Sequence, residues 1–118
     1  MSELPVVVIG AGPLGLAAAA HLLERGLVPL VLEAGPGPGS AVEQWAHVRT
    51  FSPWPELVDP AAARLLEPTG CVAPAAGFPT GRQWVDDYLA PVAAALGEHV
   101  HYGTRVHAVT RLGRDRLV

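Results

Sequence analysis

Three glycines and one glutamate have the types and spacing to do chemistry. Gly10, Gly12 and Gly15 lie in the run Gly-Ala-Gly-Pro-Leu-Gly, and Glu33 follows Gly15 by 18 positions. Gly10 suits a tight turn off a strand. Gly12, with no Cβ, lets an anion come close to the backbone. Gly15 lets a helix lie against the strand. The free N–H groups at the helix start and the positive end of its dipole then face that anion. Pro13 costs little there, since its missing N–H would have had no partner. A carboxylate at the end of the next strand can accept from ribose hydroxyls, and it would repel a 2′-phosphate. Together these are the parts of a dinucleotide fingerprint, with NADP disfavoured at this site. A ligand-free glycine turn is the bland alternative, and it leaves the coincidence of four features unexplained.

The surrounding sequence supplies the elements that the fingerprint needs. Pro5 to Ile9 is a β-branched apolar run, which predicts a strand buried on both faces of a parallel sheet. Leu16 to Arg25 predicts a helix with Leu16, Ala20 and Leu23 on one face, ended by Gly26. Val28 to Leu32 is a second buried strand. This β-turn-α-β unit has the size of one crossover, which a right-handed connection makes parallel. Gly35 to Ser40 is loop, and Gln44 to Pro55, with Trp45 and Trp54, reads as irregular. Asp59-Pro60 opens a short helix to about Glu67. Thr80 and Gln83 have capping-box spacing ahead of a helix striped with Trp84, Tyr88 and Val92, flanked by Val85, Leu89 and Leu96. Pro91 should kink that helix, because the bond back to Asp87 is missing. His99 to Tyr102 predicts a third strand. Gly103-Thr104 turns the chain into an alternating strand from Arg105 to Leu112, the start of an antiparallel extension. The expected fold is α/β: a three-layer Rossmann-like, dinucleotide-binding fold with a parallel three-stranded sheet ordered 3-2-1 and flanking helices.

Composition excludes several classes. The chain has 118 residues, half of them apolar and 16% charged, which is not the make-up of a disordered charged chain. All eight basic residues are arginines, scattered in sequence, and the net charge is −3, so no basic stripe for nucleic acid is present. No apolar run reaches the ~18 residues of a membrane span. The start, Met1-Ser2-Glu3, lacks the basic region of a secretion signal. A cytoplasmic location is the expectation.

Other candidates carry less. Cys71, the only cysteine, has no base near it in sequence and reads as a small buried residue. His47 could touch a ligand from its aromatic loop. His99, His101 and His107 have no carboxylate or cysteine beside them, so strand-surface positions are preferred to a metal site. Asp86 and Asp87 are adjacent on a helix and cannot face each other as an acid/base pair. No side chain is named as catalytic, and no metal is expected.

Residues 5–33 resemble the N-terminal FAD-binding segment of flavoprotein oxidoreductases with two dinucleotide domains. Trp45, the run His-Val-Arg-Thr-Phe-Ser-Pro-Trp over 47–54, and Gly103-Thr104-Arg105-Val106 extend the likeness to bacterial FAD-dependent oxidoreductases akin to flavin-containing monooxygenases. The resemblance implies that Gly10, Gly12, Pro13, Leu14 and Gly15 line the FAD pyrophosphate. It implies that Glu33 holds the adenosine ribose with Ala34 beside it, and that Val106 offers its backbone to the adenine. Trp45 and Arg49 would lie toward the flavin, with a structural or solvated Arg49 as the alternative. NAD(P)H would be the reductant. Pro-Gly-Pro-Gly-Ser replaces the Gly-Gly-x-Trp or arginine of amine-oxidase-like relatives, and the redox cysteine pair of disulfide reductases is missing.

Enzymes of this kind need several hundred residues. Residues 1–118 therefore read as the N-terminal part of one FAD/NAD(P)-binding domain, incomplete at the C-terminus, whose partner is the missing remainder of the enzyme or a second copy. A non-catalytic NAD-binding module and an inactive fragment are the competing accounts.

Overall fold

The computed structural model describes residues 4–113. The Met1-Ser2-Glu3 start and the Val118 end lie outside them. Strand β1 (Val6–Ile9) leads through the glycine turn into helix α1 (Pro13–Glu24), and β2 (Pro29–Leu32) follows. Four short helices come next: α2 (Ser40–Glu43), α3 (Trp54–Leu57), α4 (Pro60–Leu66) and α5 (Gly81–Trp84). A π-helical turn, Val85–Leu89, joins α5 to α6 (Ala90–Leu96), and β3 (Val100–His101) closes the described sheet. The sheet is wholly parallel, with β2 between β1 and β3. Val6 pairs with Pro29 through Ile9 with Leu32, and Val31 with Val100. The expected strand order therefore stands.

Local chemistry explains most boundaries. Gly26, at φ +73°, ends α1 as the sequence predicts. Asp59 accepts from the Ala62 N–H at 3.0 Å and caps α4, and both bonds of the Thr80/Gln83 capping box are present. At Pro91 the helix does not break. Pro91 has no N–H for the Asp87 carbonyl, and the Ala90 N–H donates instead to the Val85 carbonyl, five residues back. The kink is thus taken up as a π-turn.

Helices α1, α4 and α6 pack on one another beside the sheet. Alanines 19, 20, 61, 62 and 93 at their contacts let the backbones approach, while Leu16, Leu89 and Leu96 fill the space between. Each of these leucines contributes about 2 kcal/mol by leaving water. The buried stripe of the last helix is Val85, Tyr88, Leu89, Val92, Ala93 and Leu96; Trp84 is only partly buried.

Several expectations change. β1 is not buried on both faces: Val7 is 49% and Ile9 58% exposed, while Val31, on the α1 side of β2, is fully buried. Side chains alternate along a strand, and α1 covers only the Val8 face. The three-layer arrangement is therefore two layers among the described residues. The third strand is shorter than His99–Tyr102, because Gly97–His99 forms a 3₁₀ turn and the His99 ring meets the Pro29 carbonyl at 3.1 Å. Arg105 to Leu112 forms no strand; among the described residues it has no ladder partner. The Gln44–Pro55 segment, expected to be irregular throughout, contains the start of α3, whose Trp54 is buried. Cys71 is half-buried, not buried.

Candidate dinucleotide site

The glycine turn sits at the carboxyl end of the sheet, where β1 stops and α1 begins. Gly10 has φ +100°, a conformation that L side chains rarely adopt, and its N–H donates to the Leu32 carbonyl at 2.8 Å. Gly15 is required by contact. A Cβ there would stand 1.9 Å from the Gly10 carbonyl oxygen and 3.4 Å from Val8 Cγ1. Gly12 is different. It is the N-cap of α1 with φ −86° and ψ −170°, which any residue can adopt, and nothing lies within 4 Å of its Cβ direction.

The helix start is left with donors. Gly12 has no side chain to cap it, Pro13 has no N–H, and the first helical bond runs from the Leu16 N–H to the Gly12 carbonyl at 3.0 Å. Among the described residues, nothing accepts from the N–H groups of Gly12, Leu14 or Gly15. Leu14 projects outward at 86% exposure. Open space over Gly12, free N–H groups and the positive dipole end coincide, which suits an anion.

Glu33 closes the other side. Its Oε1 accepts from the Ala11 N–H and its Oε2 from the Gly35 N–H, both at 2.7 Å. Each oxygen keeps a further acceptor position for a hydroxyl. The strand pairing continues past it: the Glu33 N–H meets the His101 carbonyl and the Thr104 N–H meets the Glu33 carbonyl, each at 2.8 Å. The Gly103 N–H reaches the Gly35 carbonyl at 3.0 Å. Gly103 and Thr104 are thereby tied to the Glu33–Gly35 segment; Val106, two residues further on, is half-buried. Ala34 is exposed at the same edge. Burial, reinforced by the negative charge of Glu33, raises the Tyr102 hydroxyl above its ordinary pKa.

The remaining candidates sit elsewhere. Trp45 packs against Gly81, where a Cβ would lie 2.9 Å from its ring and carbonyl, and its ring centroid is 6.2 Å from that of Trp84. Arg49 donates to the Phe78 carbonyl and bridges Thr80, so it is held by residues 78–80 and makes no hydrogen bond to the glycine turn. His47 is exposed. Among the described residues no cluster of three or more His, Cys, Asp or Glu could hold a metal, and no helix is long and apolar enough to cross a membrane.

A groove of ≈ 610 Å³ runs from the start of α1, lined by Pro13, Leu14 and Ala17, to Leu57, Trp84 and Tyr88. The Trp84 Nε1 is buried and has no hydrogen-bond partner among the described residues. Sequence reasoning missed Ala11, Gly35 and Gly39. Ala11, fully buried, donates to Glu33 and accepts from the Gly39 N–H at 2.9 Å. The repeated glycines of the 35–39 loop were the available signal.

Known proteins share the fold. The fold matches OTEMO in complex with FAD and NADP at a TM-score of 0.64 and 24% identity, over 90% of this chain and 20% of that one. It matches a mutant flavin monooxygenase from Stenotrophomonas maltophilia at 0.63 and 29%, over 96% and 32% of the two chains. A bacillithiol disulfide reductase from Staphylococcus aureus matches at 0.58 and 20%, over 87% and 29%. The chain thus spans about a fifth to a third of these structures. No curated protein matches it in sequence. The model of the NAD(P)-binding Rossmann-like domain matches residues 8–71, which carry the glycine turn, α1, β2 and Glu33. That match takes in more than half of the sequence, and the chain belongs to the NAD(P)-binding Rossmann-like domain family.

Proposed function

We propose that this chain holds the ADP half of FAD and is the N-terminal part of a flavin-dependent oxidoreductase, monooxygenase-like and reduced by NAD(P)H. The pyrophosphate rests on the N–H groups of Gly12, Leu14 and Gly15, beside Gly10 and Pro13. The adenosine ribose donates to Glu33 next to Ala34, and the adenine meets the backbone of Val106. Trp45 and Arg49 stand on the flavin side. The rest of the enzyme, on this polypeptide or another, supplies the remaining walls.

One observation carries the reading: Glu33 binds the glycine turn through Ala11 while open space and free N–H groups remain over Gly12. That arrangement fits a ribose-pyrophosphate. FAD, when bound, supplies the electron transfer and oxygen chemistry; these residues bind and orient it. The flavin monooxygenase likeness at 29% identity supports FAD over NAD. The family match to an NAD(P)-binding domain keeps a non-catalytic NAD module as the second reading.

Titrating FAD, NAD and NADP separately into the chain decides between them. FAD binding tighter than NAD, with NADP weakest, is the expected order. Preference for NAD favours the second reading, and a folded chain that binds none of the three overturns the site.

A further inference from the structure

Gly39 lies in the Gly-Pro-Gly-Pro-Gly loop, 24 positions from the nearest glycine of the fingerprint, yet it is buried and bonded to the turn. Its N–H donates to the Ala11 carbonyl at 2.9 Å. Its φ is +65°. A Cβ on it would stand 3.0 Å from Val85 Cγ2 and 3.1 Å from Leu89 Cδ1, both in the π-turn. Gly39 is therefore wedged between the glycine turn and the π-turn that joins α5 to α6.

The Ala11 carbonyl and the Gly12 N–H belong to one trans peptide, so they point in opposite directions. Holding the carbonyl toward Gly39 turns the Gly12 N–H away from it. The Ala11 N–H, on the preceding peptide, is held separately by Glu33. Without the Gly39 bond that peptide could rotate, and the N–H would lose its aim.

We propose that Gly39 is a positioning residue: seated against Val85 and Leu89, it holds the Ala11 carbonyl and so aims the Gly12 N–H at the diphosphate of the bound nucleotide. This rests on the dinucleotide reading above. The role asks for a residue that tolerates positive φ and has no side chain. A larger residue would push the loop off Ala11, because Val85 and Leu89 are themselves buried in the core.

The test compares ADP with adenosine as ligands, on wild type, Gly39→Ala and the double variant Gly39→Ala/Val85→Ala. Calorimetry gives the affinities and circular dichroism checks the fold. In Gly39→Ala, ADP affinity should fall about tenfold, the scale of one hydrogen bond to a charged group, while adenosine affinity stays within about twofold. The double variant, with room for the new Cβ, should recover part of the ADP affinity. An unchanged ADP affinity in folded Gly39→Ala overturns the inference, and so does an equal loss for ADP and adenosine. Should Gly39→Ala not fold, amide exchange on wild type decides: a Gly39 N–H that exchanges as fast as an exposed loop amide overturns it, and a protected one upholds it. Wild type that binds neither ligand at millimolar concentration overturns the dinucleotide reading, and this inference with it.

Discussion

Replacing Gly12 with aspartate should stabilise the protein and abolish nucleotide binding, two effects of opposite sign from one side chain. Gly12 is the N-cap of a 12-residue helix, its φ of −86° and ψ of −170° suit any residue, and its Cβ direction is open. An aspartate there can accept from the free N–H groups of the first turn. The cap itself is worth a few tenths of a kcal/mol over glycine, the dipole interaction roughly 0.3–1, and the lost freedom of the unfolded chain roughly 0.4–1. The folded state should gain about 1–2 kcal/mol, which raises Tm by roughly 3–10 °C in a domain of this size. The same carboxylate would occupy the space assigned to the pyrophosphate and repel it. FAD and ADP affinity should fall by about a hundredfold or more, since both the donors and the charge balance are lost. Thermal unfolding and calorimetry on Gly12→Asp read the two effects. Destabilisation would show that the helix start is already satisfied or crowded. Undiminished ADP binding would refute the placement of the phosphate.

Gly15→Ala should behave oppositely, because its Cβ would stand 1.9 Å from the Gly10 carbonyl oxygen and neither backbone can rotate away; a loss of about 3 kcal/mol is expected in urea unfolding, and an unchanged midpoint would contradict the contact. Glu33→Gln keeps the shape but turns one acceptor into a donor facing the N–H of Ala11 or Gly35; FAD affinity should drop about tenfold, and equal binding by both proteins would argue against the ribose role. Burial alone would raise the Asp59 pKa, but the Ala62 N–H and the His21 ring hold it below the ordinary aspartate value. A carboxyl depressed in the folded state stabilises above its unfolded pKa of ~3.9 and loses that contribution as pH falls through the folded value. Asp59→Ala should therefore cost about 1 kcal/mol at neutral pH and lessen the loss of stability on acidification below about pH 4; an acid profile parallel to wild type would contradict this.

Much of the fold, and the placement of part of the candidate site, could be read from the sequence, for reasons that particular residues make clear. Gly10 and Glu33 were readable because each is tied to a local demand: a turn off a strand, and a strand end. The Thr80 cap and the Asp59 cap were readable because a side chain meets a backbone N–H three residues on. Gly39 was not, because its partners are Ala11, Val85 and Leu89, distant in sequence, and glycine-proline repeats announce only a loop. The exposure of β1 escaped as well. An apolar run records which faces ask for cover, and the described residues cover only the Val8 side. Arg105 to Leu112 alternates as a strand would, but alternation cannot supply a neighbour, and a strand exists only when paired. The π-turn was half visible. Pro91 announced a missing bond, and only the packing of Val85, Leu89 and Val92 decides that the helix absorbs it without breaking.

The most direct test is to follow the amide signals of labelled protein while ADP is added. The account predicts saturable shifts centred on Gly12, Leu14 and Gly15, with a second set at Glu33, Ala34 and Gly35. Saturating ADP that leaves those amides unmoved, or moves only signals from α5 and its surroundings, would contradict it.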